Sequence, residues 1–224
     1  MRRALSLAGW ALPAAAPVVP PVARAFDIPL RIPHGVALTF DDGPHPEGTP
    51  AVLELLGERP ATFFLVGEQV ERFPSVAAGI AARGHEIAVH GYRHRLLLRR
   101  SPRAFADDLE RALRVIEDAT GRTPTVYRPP YGVFSLPALD HVRERGLRPL
   151  LWSKWGKDWQ RRATGASIAA RATSGLGSGD VVLLHDADHY SVDGSWRNTV
   201  AALPAIFQAV TACGAELCSV SQAT

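Results

Sequence analysis

The sequence predicts an α/β fold, a distorted or incomplete (β/α) barrel of about seven parallel strands in a single domain. Three observations carry this expectation. Short apolar, β-branched runs alternate with helical patterns, as in a parallel sheet wrapped by helices. A chain of 224 residues, 46% hydrophobic and 21% charged, suits one large core and does not have the composition of a disordered chain. Polar residues gather where the apolar runs stop, as they do at the rim of a parallel barrel, where strand ends converge.

The strand runs are 36–40, 61–66, 86–89, 125–127, 150–152, 181–184 and 216–220. The clearest helix lies between Ser101 and Gly121. Ser101 is placed to cap it, Pro102 suits its first position, and Gly121 suits a left-handed stop. Phe105, Leu109, Ala112, Leu113 and Ile116 recur on one face, so this helix packs on the core. Further helices are expected at 49–56, 69–83, 137–145 and 196–213.

The chain opens "MRRALSLAGWALPAAAPVVPPVARAF". Arg2 and Arg3, an apolar stretch from Ala4 to about Ala16 and the Ala23-Arg24-Ala25 triplet follow the layout of a secretory signal cut after Ala25. Pro13, Pro17, Pro20 and Pro21 argue against a regular spanning helix. The expected division is therefore a leader over 1–25 and one domain over 26–224, with a secreted or cell-envelope location. A membrane enters only if the leader stays uncleaved.

The formal charge of +3 comes from the same stretch. Arg2, Arg3 and Arg24 have no acid near them in the first 25 residues, and the remaining basic side chains balance the 22 Asp and Glu. That leaves no electrostatic footprint for a nucleic acid. Cys213 and Cys218 either pair or pack as small buried hydrophobes. A monomer is expected.

The chemistry gathers in "VALTFDDGPHPEG". Here a buried strand delivers two like charges, Asp41 and Asp42, into a Gly-Pro turn. Such a stretch taken alone is an ordinary turn, unless something positive receives the pair. "HGYRH" offers His90 and His94 four residues apart, a one-turn spacing that lets two imidazoles address one ion. Two His and one carboxylate with an open position describe a hydrolytic metal site. Asp42, His90 and His94 then make the ligand set, and Asp41 is left for proton chemistry. His45, His85 and His189 are surplus to three ligands. Arg93, Arg95, Arg99, Arg100 and Arg103 read as a solvated face.

"TFDDGP", "HGYRH", "RPPYG", "KDW" and "LLHD" occur in the order and approximate spacing of the polysaccharide deacetylases, the NodB-homology domain of the carbohydrate esterases, and the chain resembles that family from Thr39 to Asp186. The resemblance implies that Asp41 is the general base and Asp42, His90 and His94 hold one divalent metal, zinc first and cobalt or nickel as alternatives. It implies that Arg128 steadies the base and the Tyr131 amide helps form the oxyanion hole. His185 becomes the general acid, Leu183 lines an acetyl-methyl pocket, Asp158 holds the histidine, and Trp159 is an aromatic wall. A frequent family form has a further acid three residues before the Asp-Trp pair; here Trp155 stands there. Trp152, inside an apolar run, reads as core.

The function so implied is metal-dependent removal of N-acetyl groups from a GlcNAc-containing glycan, chitin-like or peptidoglycan. The alternatives are an O-acetyl esterase on acetylated xylan, an amidase on a non-sugar, and a noncatalytic glycan-binding module.

Overall fold

The structure is a computed structural model that describes residues 10–222. The basic n-region at Arg2 and Arg3 lies outside the described residues. The seven strands are β1 (Ala37–Asp41), β2 (Thr62–Leu65), β3 (Glu86–Val89), β4 (Val126–Tyr127), β5 (Arg148–Pro149), β6 (Lys154–Trp155) and β7 (Val181–His185). They form one sheet in the order β5-β4-β3-β2-β1-β7-β6. Every neighbouring pair is parallel.

Chain length forces this sheet to curl. β5 and β6 lie at opposite edges, yet only residues 150–153 separate them. Five Cα steps reach about 19 Å at ~3.8 Å each, whereas seven strands laid flat at ~4.8 Å spacing span roughly 29 Å. The edges must therefore turn toward each other, which gives the incomplete barrel that the sequence predicts.

β1 lies between β2 and β7, and all five of its residues are buried. Burial on both faces explains why it reads as a continuous apolar run with no alternation. The helices that cover the sheet are α1 (Pro20–Ala25), α2 (Gly48–Leu56), α3 (Gly67–Arg72), α4 (Pro74–Ala82), α5 (Pro102–Thr120), α6 (Leu136–Glu144), α7 (Gly165–Ala172) and α8 (Ser195–Ala212). In α5 the Ser101 hydroxyl accepts from the Ala104 amide and Gly121 takes φ 65°, as its capping residues predict. Its face of Phe105, Leu109, Ala112 and Ile116 is buried.

Three expectations need correction. The run 150–152 is buried but is not a strand: the Leu150 amide makes the last bond of the β5–β4 ladder, to Tyr127 O, and the Leu151 amide then leaves the ladder for Pro29 O. Residues 216–220 make only an isolated bridge, Leu217 to Val36. The single helix expected over 69–83 is two, because Phe73 is non-helical and Pro74 starts the second. A proline is tolerated at a first helical position but not inside a helix.

Cys213 and Cys218 are free, and Cys213 is exposed, so neither the disulfide nor the paired burial is seen. Among the described residues no helix is long and apolar enough to cross a membrane. Residues 10–25 are folded onto the domain, with Ala16 and Ala23 buried in the common core.

Candidate active site

Strand ends bring the motif residues together. Asp41 ends β1, His90 follows β3, Arg128 follows β4 and His185 ends β7. Asp41, His90 and His185 line a cavity of ≈ 220 Å³ together with Asp42, His94, Tyr131, Trp159 and Leu183. Arg128 and Asp158 stand behind the lining, almost fully buried.

The paired aspartates diverge immediately. Asp41 Oδ1 accepts from Arg128 Nη1 at 2.7 Å. That guanidinium also donates to Thr39 Oγ1, Leu150 O and Leu151 O, and lies 3.9 Å over the Phe64 ring. A buried arginine with its donors satisfied is held rigidly. Burial pushes the Asp41 carboxyl above the ordinary carboxylate range, against the opposing pull of Arg128. Asp42 takes φ 75°, a left-handed conformation that Asp tolerates better than most residues. This turn points its carboxylate at the imidazoles: Oδ1 lies 3.5 Å from His90 Nε2 and 3.3 Å from His94 Nε2.

Those distances fit a cation. Two ligand atoms each ~2.1 Å from a tetrahedral ion stand about 3.4 Å apart. Asp42 Oδ1 is buried and has no hydrogen-bond partner among the described residues. Burial pushes the Asp42 carboxyl up to about 7 and the two imidazoles down to about 3, so both rings are neutral and keep a lone pair. Since His90 Nδ1 donates to Arg128 O at 2.8 Å, its Nε2 is the free nitrogen that faces Asp42. A backbone carbonyl fixing the tautomer is a recurrent support of metal-binding histidines.

The "HGYRH" segment is a loop and not a helical turn. Gly91 at φ 85° turns it, and Asp108 from α5 accepts from the Tyr92 amide at 2.8 Å. His94 reaches the cluster through this loop, and its ring is stacked on Tyr190 with centroids 4.3 Å apart at 13°. The Tyr190 hydroxyl donates to Glu68 and accepts from Gln69. Sequence reasoning missed Tyr190 and Asp108. An aromatic five residues beyond the "LLHD" histidine is the only trace of Tyr190, and Asp108 has the pattern of any surface acid on a helix.

On the opposite wall, Asp158 Oδ1 takes the Nδ1 hydrogen of His185 at 2.8 Å, and its Oδ2 accepts from the His185 amide and Thr199 Oγ1. Burial alone would lower the His185 pKa, but the Asp158 carboxylate outweighs it and pushes the value up to about 10. The imidazolium thus holds a proton at neutral pH, with Nε2 3.9 Å from Asp42 Oδ2. Trp159 stands edge-on to His185 at 5.4 Å. Tyr131 is exposed at the rim with φ 60°. Trp152, expected in the core, is nearly buried but also lines the cavity.

A second cluster, His45, Asp188 and His189, is closed by hydrogen bonds. His45 Nδ1 accepts the Glu47 and Gly48 amides, so its Nε2 carries the proton and faces Asp188 at 3.2 Å. With that tautomer both ring nitrogens of His45 are engaged. His85 is buried beside Phe63, away from the cavity. Arg93, Arg95, Arg99 and Arg103 are exposed, the solvated face expected.

The sequence model of the family described as polysaccharide deacetylase matches residues 32–150. The chain belongs to the polysaccharide deacetylase family. It is thereby a hydrolase acting on carbon–nitrogen bonds in polysaccharide deacetylation. It is 34% identical over 191 residues to the chitooligosaccharide deacetylase of Azorhizobium caulinodans, covering 81% of this chain and 90% of that one. It is 34% identical to the peptidoglycan-N-acetylglucosamine deacetylase of Bacillus cereus, covering 84% and 86%. The crystal structure of the Bc1960 peptidoglycan N-acetylglucosamine deacetylase superposes with a TM-score of 0.82 at 28% identity, over 89% of this chain and 94% of that one. The aspartate pair and the histidine pair fall within the matched residues of this polysaccharide deacetylase; His185 lies beyond them.

Proposed function

We propose that this polysaccharide deacetylase removes N-acetyl groups from a GlcNAc-containing glycan, chitin-like or peptidoglycan, and does so with one divalent metal. The observation that carries the reading is the division of labour between adjacent acids. Asp42 Oδ1 has no hydrogen-bond partner among the described residues and stands between two neutral imidazoles, while Asp41 is tied to Arg128.

Asp42, His90 and His94 would hold the ion, and two nitrogens with one oxygen favour zinc, with cobalt or nickel as alternatives. When bound, the ion supplies Lewis-acid polarisation of the acetyl carbonyl and a lowered pKa for a water. Asp41 takes a proton from the attacking water, and Arg128 keeps it oriented. The Tyr131 amide donates to the developing oxyanion, a contact worth roughly 3 to 4 kcal/mol per donor in hydrolases. His185, held protonated by Asp158, gives its proton to the departing amine. Water is consumed, and acetate and a free amine leave. Leu183 packs on the acetyl methyl, and Trp159 offers a ring edge and face to the sugar. A wall glycan as substrate supports a location outside the cell or in its envelope.

Acetate release from chitooligosaccharide, peptidoglycan and acetylxylan, with and without a chelator, tests this. Release from at least one of the first two, abolished by chelator and restored by zinc, is expected. Release from acetylxylan alone would establish the ester alternative, and indifference to the chelator would remove the metal.

Tyr190 supplies a second check. His90 is oriented by a carbonyl, but His94 Nδ1 has no hydrogen-bond partner among the described residues, so ring stacking is what fixes it. Tyr190→Ala is expected to weaken zinc affinity about 10-fold or more, within the range seen when a ligand's support is removed. Tyr190→Phe keeps the ring and is expected to keep the affinity. Competition with a chromophoric chelator measures both.

A further inference from the structure

The segment that reads as a leader is built into the enzyme. Ala16 is 0% and Ala23 1% exposed, both inside the core cluster, with Val22 and Phe26 packed against it. Pro17 stands against the loop that carries Tyr131: a Cβ added to Gly132 would lie 3.0 Å from Pro17 Cγ and 2.4 Å from the Trp152 ring. The chain that follows is tied to the catalytic framework. Pro29 O accepts the Leu151 amide, and Leu151 O in turn accepts from Arg128.

Outside the reactive cavity this segment encloses a further cleft of ≈ 490 Å³, lined by Pro17, Val18, Leu30, Arg31, Trp152 and Trp155 among others. The two cavities share Trp152 and Trp155. From His185 an aromatic row runs through Trp159 and Trp155 to Trp152, each ring centroid between 5.4 and 5.7 Å from the next. The row leads out of the reactive pocket into the cleft. The cleft wall is mostly apolar, with Val18 65% exposed and Arg31 and Ser153 as polar points. Apolar walls with a few polar groups suit the C–H face and hydroxyl edge of a pyranose ring.

We propose that residues 12–25 remain on the working enzyme and that the cleft they form with Trp152 and Trp155 is a second sugar subsite, for another unit of the same glycan. The inference rests on the deacetylase reading above. It differs from the expectation of a cut after Ala25, because such a cut removes Pro17, Val18 and two core alanines together.

The test uses the full chain on chitooligosaccharides of two to five units, with acetate as readout, alongside a Val18→Asp variant. The pentamer is expected to show a KM about tenfold below that of the dimer, a factor that corresponds to ~1.4 kcal/mol. In Val18→Asp, with a carboxylate at the cleft wall, that advantage is expected to collapse. A KM independent of length, or an advantage untouched by Val18→Asp, overturns the subsite. Mass analysis of the exported chain is expected to give an N-terminus before Leu12, and a start at Phe26 overturns retention. A chain truncated to Phe26 is expected to lose the length preference or to melt at lower temperature, and parent behaviour on both counts overturns the proposal. No acetate from any oligomer would instead overturn the deacetylase reading on which this inference stands.

Discussion

Asp41→Asn lowers kcat by about 10² to 10⁴-fold, the range that a positioned general base contributes, while zinc affinity stays near the parent value. The two effects separate because Asp41 is held by Arg128 at 2.7 Å and stands 3.8 Å from the nearest His90 nitrogen, so it is not needed to grip the ion. The amide can still accept from Arg128 through its oxygen but cannot take a proton from water. Stability falls as well, because the buried guanidinium loses its only anionic partner among the described residues. Removing one member of a buried pair costs about 3–5 kcal/mol, and the remaining acceptors at Thr39, Leu150 and Leu151 keep the loss at or below that range. Steady-state kinetics, zinc titration and thermal melting separate the three quantities. Normal turnover by Asp41→Asn would end its assignment as base.

His94→Ala has the opposite signature. Zinc affinity falls by more than about 100-fold, beyond the 10–100-fold loss typical of a support behind a ligand, and acetate release drops to the level of the chelated parent. The proposed ligand set is three side chains whose donor atoms lie within 4.8 Å of one another, so losing one leaves two and no closed triangle. Excess zinc restores part of the activity of His94→Ala and none of that of Asp41→Asn. Equal rescue of both variants would contradict the division between Asp41 and Asp42.

The sequence revealed what is carried by local pattern. β1 and β2 are buried throughout and β3 and β7 at all but one end residue, and α5 has its cap, its apolar stripe and its stop all in register. Its failures lie where tertiary contacts decide. Residues 150–152 are as apolar as a strand, but after Leu150 closes the ladder on Tyr127 the Leu151 amide turns away to Pro29. α7 passed unnoticed because its capping box pairs Thr164 with Ser167 and not with an acid or amide. In the site, the motif residues named from sequence converge on one cavity or back it. Their supports were invisible: Asp108 pins the histidine loop from the helix that follows it, and Thr199 of α8 braces Asp158. A motif marks residues that do chemistry, while partners that only hold them can come from any element that passes nearby.

Anomalous diffraction from crystals loaded with zinc tests the central claim most directly. One ion per chain is predicted, bound by Asp42, His90 Nε2 and His94 Nε2 at about 2.0–2.2 Å, with Asp41 still on Arg128 and outside the coordination shell. An ion held by Asp41, an ion at His45, Asp188 and His189, or no ion between the three named side chains would contradict it.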